Sequence, residues 1–465
     1  MTFLNEVTAR HPQAVSFAPG RPYEGFFAFE DLHESLDAFA GHLRGELGYD
    51  EQQVRAALFQ YGRTKGLIHE LVARTVANDE GIAASPEDFV ITVGAQEGML
   101  LVLRALCAKR RDVILVSSPC YVGITGAARV LDIRTVALPE PEEWLEARGP
   151  DPEAVARAAR ALRDQGDRPR ALYLVPDFAN PSGASMPVEA RRRLLEVAAR
   201  EDLLIIEDNP YGFFAAEPGP PRPTLKALDQ DARVIYLGSF AKTCLPGARV
   251  GYVIADQPVI DRDGRRSRLA DELAKIKSMT TVNSSAVSQA VIGGMLVRHG
   301  FRLRAANARA VGFYANNLRT LLTALERAFP PARRDRLGVR WNRPEGGFFV
   351  QLSVAFTADA AALERCARDY GVLWTPMAAF HPDGSGARRL RLSCSYLTPE
   401  LIEEGVRRLA AFIHDATLGD ATLGDATFRN ATLGDTATGE ADIRDAEIRR
   451  APRPEAAQRG DVIEH

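Results

Sequence analysis

Apolar residues fall in two textures along this chain. Between about positions 88 and 255 they come in short continuous runs. These are Phe89-Val90-Ile91-Thr92-Val93, Val113-Ile114-Leu115-Val116, Ala171-Leu172-Tyr173-Leu174-Val175, Leu203-Leu204-Ile205-Ile206, Val234-Ile235-Tyr236-Leu237 and Val250-Gly251-Tyr252-Val253-Ile254. Runs that are apolar on successive residues, not on alternate ones, read as strands covered on both faces. Helical spacing lies between several of them, as at Gln96–Ala108 and Pro187–Arg200. Strand and helix in alternation predict an α/β domain built on a largely parallel sheet.

The texture changes after about Asp261. A long helical pattern runs through Ala286–Val297 and on toward Leu325. Phe348–Leu352 and Leu390–Cys394 then read as strands, and Ala358–Asp369 and Pro399–Ile413 as helices. The first fifty residues show no clear sheet, only a helical pattern around Glu30–Arg44. The expected organisation is an N-terminal arm over 1–45, a large α/β domain over 46–285 and a small α+β domain over 286–413. Beyond these, Ala416-Thr417-Leu418-Gly419-Asp420 recurs every five residues, with weaker copies at Ala441 and Ala446. This resembles pentapeptide repeats, but with too few windows to stack a solenoid core. Residues 414–465 are therefore expected to form a low-complexity, unordered tail.

Composition narrows the function. The chain has 465 residues with 58 basic and 61 acidic side chains, a formal charge of −3. That balance argues against a dedicated nucleic-acid binder. Cys107, Cys120, Cys244, Cys366 and Cys394 are scattered and form no CxxC pair, so neither a disulfide framework nor a structural zinc site is expected. The eight histidines show no ligand spacing, and no metal is expected. No apolar run approaches the ~18 residues of a membrane span. Met1–Arg10 lacks a signal-peptide pattern, so a cytoplasmic protein is expected. GxGxxG, GxxxxGK[ST] and HExxH are absent, and Arg191–Arg193 reads as a solvated helix face. Lysines are few: Lys65, Lys109, Lys226, Lys242, Lys275 and Lys277.

One of those lysines sits in the most informative segment. Gly238-Ser239-Phe240-Ala241-Lys242-Thr243-Cys244-Leu245-Pro246-Gly247-Ala248-Arg249-Val250-Gly251 directly follows a predicted strand. A lysine beside a buried strand end can have a lowered pKa and act as an amine nucleophile. Ser239 and Arg249 can hold a phosphate near that amine. An imine-forming lysine beside an anion cradle is what a pyridoxal phosphate (PLP) site needs. A surface lysine at a strand-to-turn junction is the plainer reading.

Ser-Phe-Ala-Lys followed by Pro-Gly-Ala-Arg-Val-Gly resembles the lysine signature of the class I/II aminotransferases, the fold type I PLP enzymes. Further elements of that family follow in order over roughly 15–413. The resemblance implies that Lys242 carries PLP as a Schiff base. It implies that Asp208, in Glu207-Asp208-Asn209-Pro210-Tyr211, pairs with the protonated pyridine nitrogen and makes the ring an electron sink. Asn180, in Asn180-Pro181-Ser182-Gly183, and Tyr211 are then the partners of the phenolic oxygen. Gly94-Ala95-Gln96 opens a helix, where free N–H groups bind phosphate, and Ala95 and Gln96 become phosphate anchors. Tyr121 matches the aromatic that stacks on the ring.

Tyr61, in Tyr61-Gly62 with Gly66 further on, resembles the tyrosine that reaches the phosphate from the neighbouring subunit, which implies a homodimer. Arg391 resembles the arginine that grips the substrate α-carboxylate, as a guanidinium fork suits. Arg21 lies where the arm of related enzymes meets the substrate side chain, and either binds a distal carboxylate or is a surface residue. Phe178-Ala179, Met377 and Cys394 depart from the family pattern and are expected to reshape the pocket. The implied reaction moves an amino group between an L-amino acid and a 2-keto acid. Elimination, replacement, cyclisation, oxidation or decarboxylation on the same fold is the alternative. A transcriptional regulator needs an N-terminal winged helix, for which no room is seen.

Overall fold

A computed structural model of the chain describes residues 2–138, 144–146, 148–261 and 263–427. The chain divides into Met1–Gly419 and Asp420–His465. Within the first unit lies a seven-stranded sheet formed by β1 (Phe89–Thr92), β2 (Asp112–Val116), β3 (Arg134–Ala137), β4 (Arg168–Leu174), β5 (Leu204–Asp208), β6 (Val234–Ser239) and β7 (Gly251–Ile254). Its strand order is β1-β7-β6-β5-β4-β2-β3. Strands β3, β2, β4, β5 and β6 pair in parallel, and β7 is antiparallel to both β6 and β1.

Every residue of β1 and β2 is buried, which is why those runs are continuously apolar. The edge strand β3 begins with exposed Arg134 and is nowhere fully buried. It carries no such run and escapes a pattern search. One face of the sheet packs Val90, Ile114, Tyr173 and Ile206 against Met99, Val102 and Leu103 of the helix Gly94–Leu106. The other face packs Leu115, Leu172, Leu174 and Ile205 against Val155, Leu194 and Val197.

A second sheet, β8 (Arg340–Trp341), β9 (Phe349–Ser353), β10 (Thr375–Pro376) and β11 (Arg389–Ser393), is antiparallel in the order β8-β9-β11-β10. Its core also takes up the arm. Val15–Ser16 pairs in parallel with Val372–Leu373, and Val7, Phe17 and Ala18 are buried in the same cluster.

The long helical pattern after Ala286 is three helices, Ala286–Arg298, Leu303–Ala306 and Ala308–Ala328. Gly300 and Phe301, with φ of 57° and 61°, turn the chain between the first two. The helix Ala286–Arg298 buries Ala290, Ile292 and Leu296 with Phe39, Ile68 and Phe89. That is the core of the first sheet's domain, on the other side of the expected boundary at 286. Gly294 makes this packing possible, because a Cβ there would lie 1.7 Å from Ser35 O.

Two expectations need correction. The helix beginning at Pro399 does not stop at Ile413 but runs to Thr427, through the first repeats. Ile402, Val406, Leu409, Ile413 and Ala416 are all buried at helical spacing, so the apolar stripe continues into the expected tail. The remainder of that tail, 428–465, lies outside the described residues. Arg191 is not on a solvated face. It is fully buried and donates to Asp177 Oδ1 at 2.5 Å and to the carbonyls of Met186 and Pro223. Arg192 and Arg193 are exposed, as a solvated face requires. No helix among the described residues is long and apolar enough to cross a membrane.

Candidate active site

The carboxyl ends of the parallel strands open onto one cavity of about 760 Å³, where open α/β sheets place their ligands. Lys242, Asp208, Ala95, Gln96, Tyr121, Asn180, Tyr211, Ser239, Arg249, Arg391 and Arg21 all line it. Tyr61 does not. It is 86% exposed on the surface of the same chain.

Asp208 ends β5 and is buried. Its Oδ2 accepts a 2.7 Å hydrogen bond from the Tyr173 hydroxyl, and its Oδ1 is buried without a partner. Burial pushes its pKa up to about 6, and the Tyr173 bond opposes that rise. Lys242 follows β6 and donates from Nζ to the Gly20 carbonyl at 2.6 Å. Its pKa falls to about 8, first through burial and then through the cations Arg249 and Arg391. A lysine poised near neutrality can exchange a proton where an ordinary surface lysine cannot.

Three elements make an anion cradle. The helix Gly94–Leu106 presents its N-terminus to the cavity, Ser239 ends β6, and Arg249 sits in a left-handed conformation at φ 52°. Glycines let these pieces meet. Gly94 has φ +70°, and a Cβ there would lie 2.7 Å from Arg249 Nη2. A Cβ on Gly251 would lie 2.7 Å from Ala95 N. Beneath the helix start, buried Lys277 donates to Glu97 at 2.8 Å, and Glu97 accepts from Val93 N at 2.6 Å.

Arg391, on β11, is buried and its pKa is lowered by burial to about 10. It donates to Asn180 Oδ1 at 2.6 Å, Ala18 O at 2.6 Å and Thr375 Oγ1 at 3.1 Å. Its Nε has no partner, and the guanidinium carbon lies 4.4 Å from the centre of the Phe349 ring. Tyr211 packs edge-on against Phe348 and Phe349, and burial raises its pKa. Arg21 is half exposed, pairs with Glu24 at 3.2 Å and stacks 4.0 Å over Tyr396. Phe178, Met377 and Cys394 do not line the cavity, although all are buried. Their departures are absorbed in packing.

The family model for "Aminotransferase class I and II" matches residues 50–409. The chain belongs to the class I and II aminotransferases. It is 49% identical to (S)-3,5-dihydroxyphenylglycine transaminase of Amycolatopsis orientalis over 89% of this chain and 91% of that protein. A multiple substrate aminotransferase from Thermococcus profundus superposes with a TM-score of 0.74 at 29% identity, covering 90% of this chain and 94% of its own. The α-aminoadipate aminotransferase of Thermus thermophilus, complexed with N-(5′-phosphopyridoxyl)-L-leucine, gives 0.70 at 30% identity, covering 89% and 95%. This aminotransferase is therefore a fold type I, PLP-dependent enzyme, and the cavity fits that cofactor. Asp208 Oδ1 is a buried acceptor lacking a donor, and the glycine-lined cradle has room only where no Cβ intrudes.

Sequence reasoning missed Tyr173, Thr375, Glu97 and Lys277. Tyr173 alone left a signal, as a phenol inside a doubly covered strand run needs a hydrogen-bond partner.

Proposed function

We propose that this aminotransferase takes an aromatic L-amino acid as amino donor, at a site completed by a second copy of the chain. The carrying observation is the cavity wall beyond Arg391. It offers apolar Val15, Leu373, Leu397 and Leu401 with the Tyr396 ring, beside the polar Ser16, Gln13, His11 and Arg21. An aryl ring fits such a wall, and hydroxyls on the ring could meet the polar end. The arylglycine transaminase of Amycolatopsis orientalis supports the same reading. Arg21 favours a second reading, a donor with a distal carboxylate, as in the name of the aminoadipate enzyme. Its existing contacts with Glu24 and Tyr396 would have to yield first.

PLP supplies an electron sink for the pair left at the substrate α-carbon when its proton departs. In the proposed assignment, Asp208 Oδ1 accepts from the ring nitrogen and holds it protonated. Tyr211 and Asn180 hold the phenolic oxygen, and Tyr121 covers the ring face. Ala95 and Gln96 N–H, Ser239 and Arg249 hold the phosphate. Arg391 would give up part of its bonding to Asn180, Ala18 and Thr375 for the substrate carboxylate. Lys242 Nζ would anchor the cofactor, and its lowered pKa suits it to exchange the substrate α-proton.

Tyr61 is exposed beside Phe59, which is 73% exposed, and in the proposed homodimer it enters the partner's site. Mixing Lys242→Ala with Tyr61→Ala subunits should then restore activity in heterodimers. Spectra of the purified enzyme mixed with arylglycines, phenylalanine, 2-aminoadipate or aspartate, one at a time, test the donor. Consumption of the 2-aminoadipate or aspartate alone would overturn the aromatic reading.

A further inference from the structure

The cavity leaves one buried contact without a role. Tyr173 and Asp208 lie on adjacent strands, and the register pairs Tyr173 with Ile206. Asp208 is two residues further along β5, so both side chains stand on the same face as diagonal neighbours. That separation is about 7–8 Å between α-carbons, within reach of a long aromatic. The phenol spans it and donates to Asp208 Oδ2 at 2.7 Å. Both residues are buried, at 1% and 3% exposure. Asp208 Oδ1 is left as a buried acceptor with no partner.

We propose that Tyr173 is a positioning residue for the cofactor ring: its hydroxyl fixes one oxygen of Asp208, so that the other faces the cavity as an ionised acceptor. The inference rests on the PLP reading of this site. Without the phenol, the carboxylate would lose the one side-chain donor it has among the described residues and could rotate. An ion in an apolar, water-poor site needs such donors, because burial favours its protonated form. The other titratable groups facing Asp208 are Cys120, Tyr121 and Tyr211, all held in their neutral forms by burial. They place no counter-charge beside it. Lys242, Arg249 and Arg391 share the cavity. Among the described residues Tyr173 is the group that hydrogen-bonds Asp208 directly, and so the one that aims its carboxylate before the ring arrives.

The test uses the PLP-loaded enzyme and Tyr173→Phe, which keeps the ring and removes only the donor. Cofactor retention is followed by equilibrium dialysis between about pH 5 and 8, with thermal unfolding of the apo-protein measured in parallel. Losing a donor to a charged acceptor should raise the proton affinity of Asp208 about tenfold, roughly 1.4 kcal/mol. The acid limb of cofactor retention should then move up by about one pH unit. An acid limb that stays in place overturns the proposal, whether or not the melting temperature falls. In the Asp208→Asn background the same substitution should leave PLP affinity unchanged. An equal loss there would mean that the tyrosine acts through packing, and would also overturn it. Failure of the wild-type enzyme to retain PLP at any pH would instead overturn the reading on which it rests.

Discussion

Gly94→Ala perturbs the anion cradle at a single atom. Gly94 sits at φ +70°, and the new methyl would lie 2.7 Å from Arg249 Nη2 and 3.3 Å from its guanidinium carbon. Two costs follow. The left-handed backbone costs an L-residue ~1–2 kcal/mol, charged to the fold. The guanidinium must also move off the helix start, since Gly94 cannot retreat from Gly251 behind it. A Cβ on Gly251 would lie 2.7 Å from Ala95 N and from Gly94 C, so that approach is already close-packed. Displacing one charge-assisted hydrogen bond to a phosphate costs roughly 1.5–3 kcal/mol, or about 10- to 150-fold in affinity. Gly300→Ala is the control. It has φ +57° and open space around its Cβ, so it carries the backbone cost alone. PLP titration of the two apo-proteins, with denaturant unfolding of each, separates the costs. Both should lose similar stability, and only Gly94→Ala should lose cofactor affinity. Equal PLP affinity in the two variants would refute the assignment of Arg249 and this helix start to the phosphate.

Three further outcomes are expected. Asp208→Asn should abolish turnover yet stabilise the apo-protein near neutral pH. The carboxyl's folded pKa of about 6 lies above its ordinary 3.8, so its charged form costs stability as pH rises through that window; chemical denaturation at several pH values reads it. Lys242 is depressed from 10.5 to about 8. The folded apo-protein therefore binds fewer protons than the unfolded chain between those values, and its stability should rise with pH across them. Lys242→Met should flatten that rise, and an unchanged slope would count against a buried amine. A chain stopped at Gly419, past the family match ending at 409, should keep turnover within about twofold, under ~0.5 kcal/mol of barrier. Stopping at Leu409 removes buried Phe412, Ile413 and Ala416 and should leave no folded enzyme, as circular dichroism would show.

The sheet was legible because its strands are covered on both faces. Burial on two sides writes a continuous apolar run, and β1, β2, β4, β5, β6 and β7 all carry one. The edge strand β3 and the two-residue pairing of Val15–Ser16 with Val372–Leu373 carry none. The first is only half-buried, and the second, although Val15, Val372 and Leu373 are buried, is too short to mark the sequence. Helix ends were harder. The break at Gly300 is local backbone geometry inside an apolar pattern, and the helix past Ile413 continues on a stripe that the five-residue repeat disguises. Arg191 shows the same limit for charge. A buried guanidinium saturated by Asp177 and backbone carbonyls is spelled like its exposed neighbours Arg192 and Arg193.

The site divides along a physical line. Lys242, Asp208, Asn180 and Arg249 each belong to a turn at a strand end, where backbone conformation, proline and glycine leave a local signature around the functional side chain. Tyr173, Thr375, Lys277 and the Ala18 carbonyl act through contacts between distant segments. Arg391 meets Ala18 and Thr375 only because the arm pairs with Val372–Leu373 and β10 pairs with β11. Tyr173 meets Asp208 only through the register of β4 on β5. Groups proposed to touch the ligand are thus readable one turn at a time. Groups that set the charge and aim of those ligand contacts become visible only when the strands are paired, and that outer layer decides whether Asp208 faces the cavity ionised.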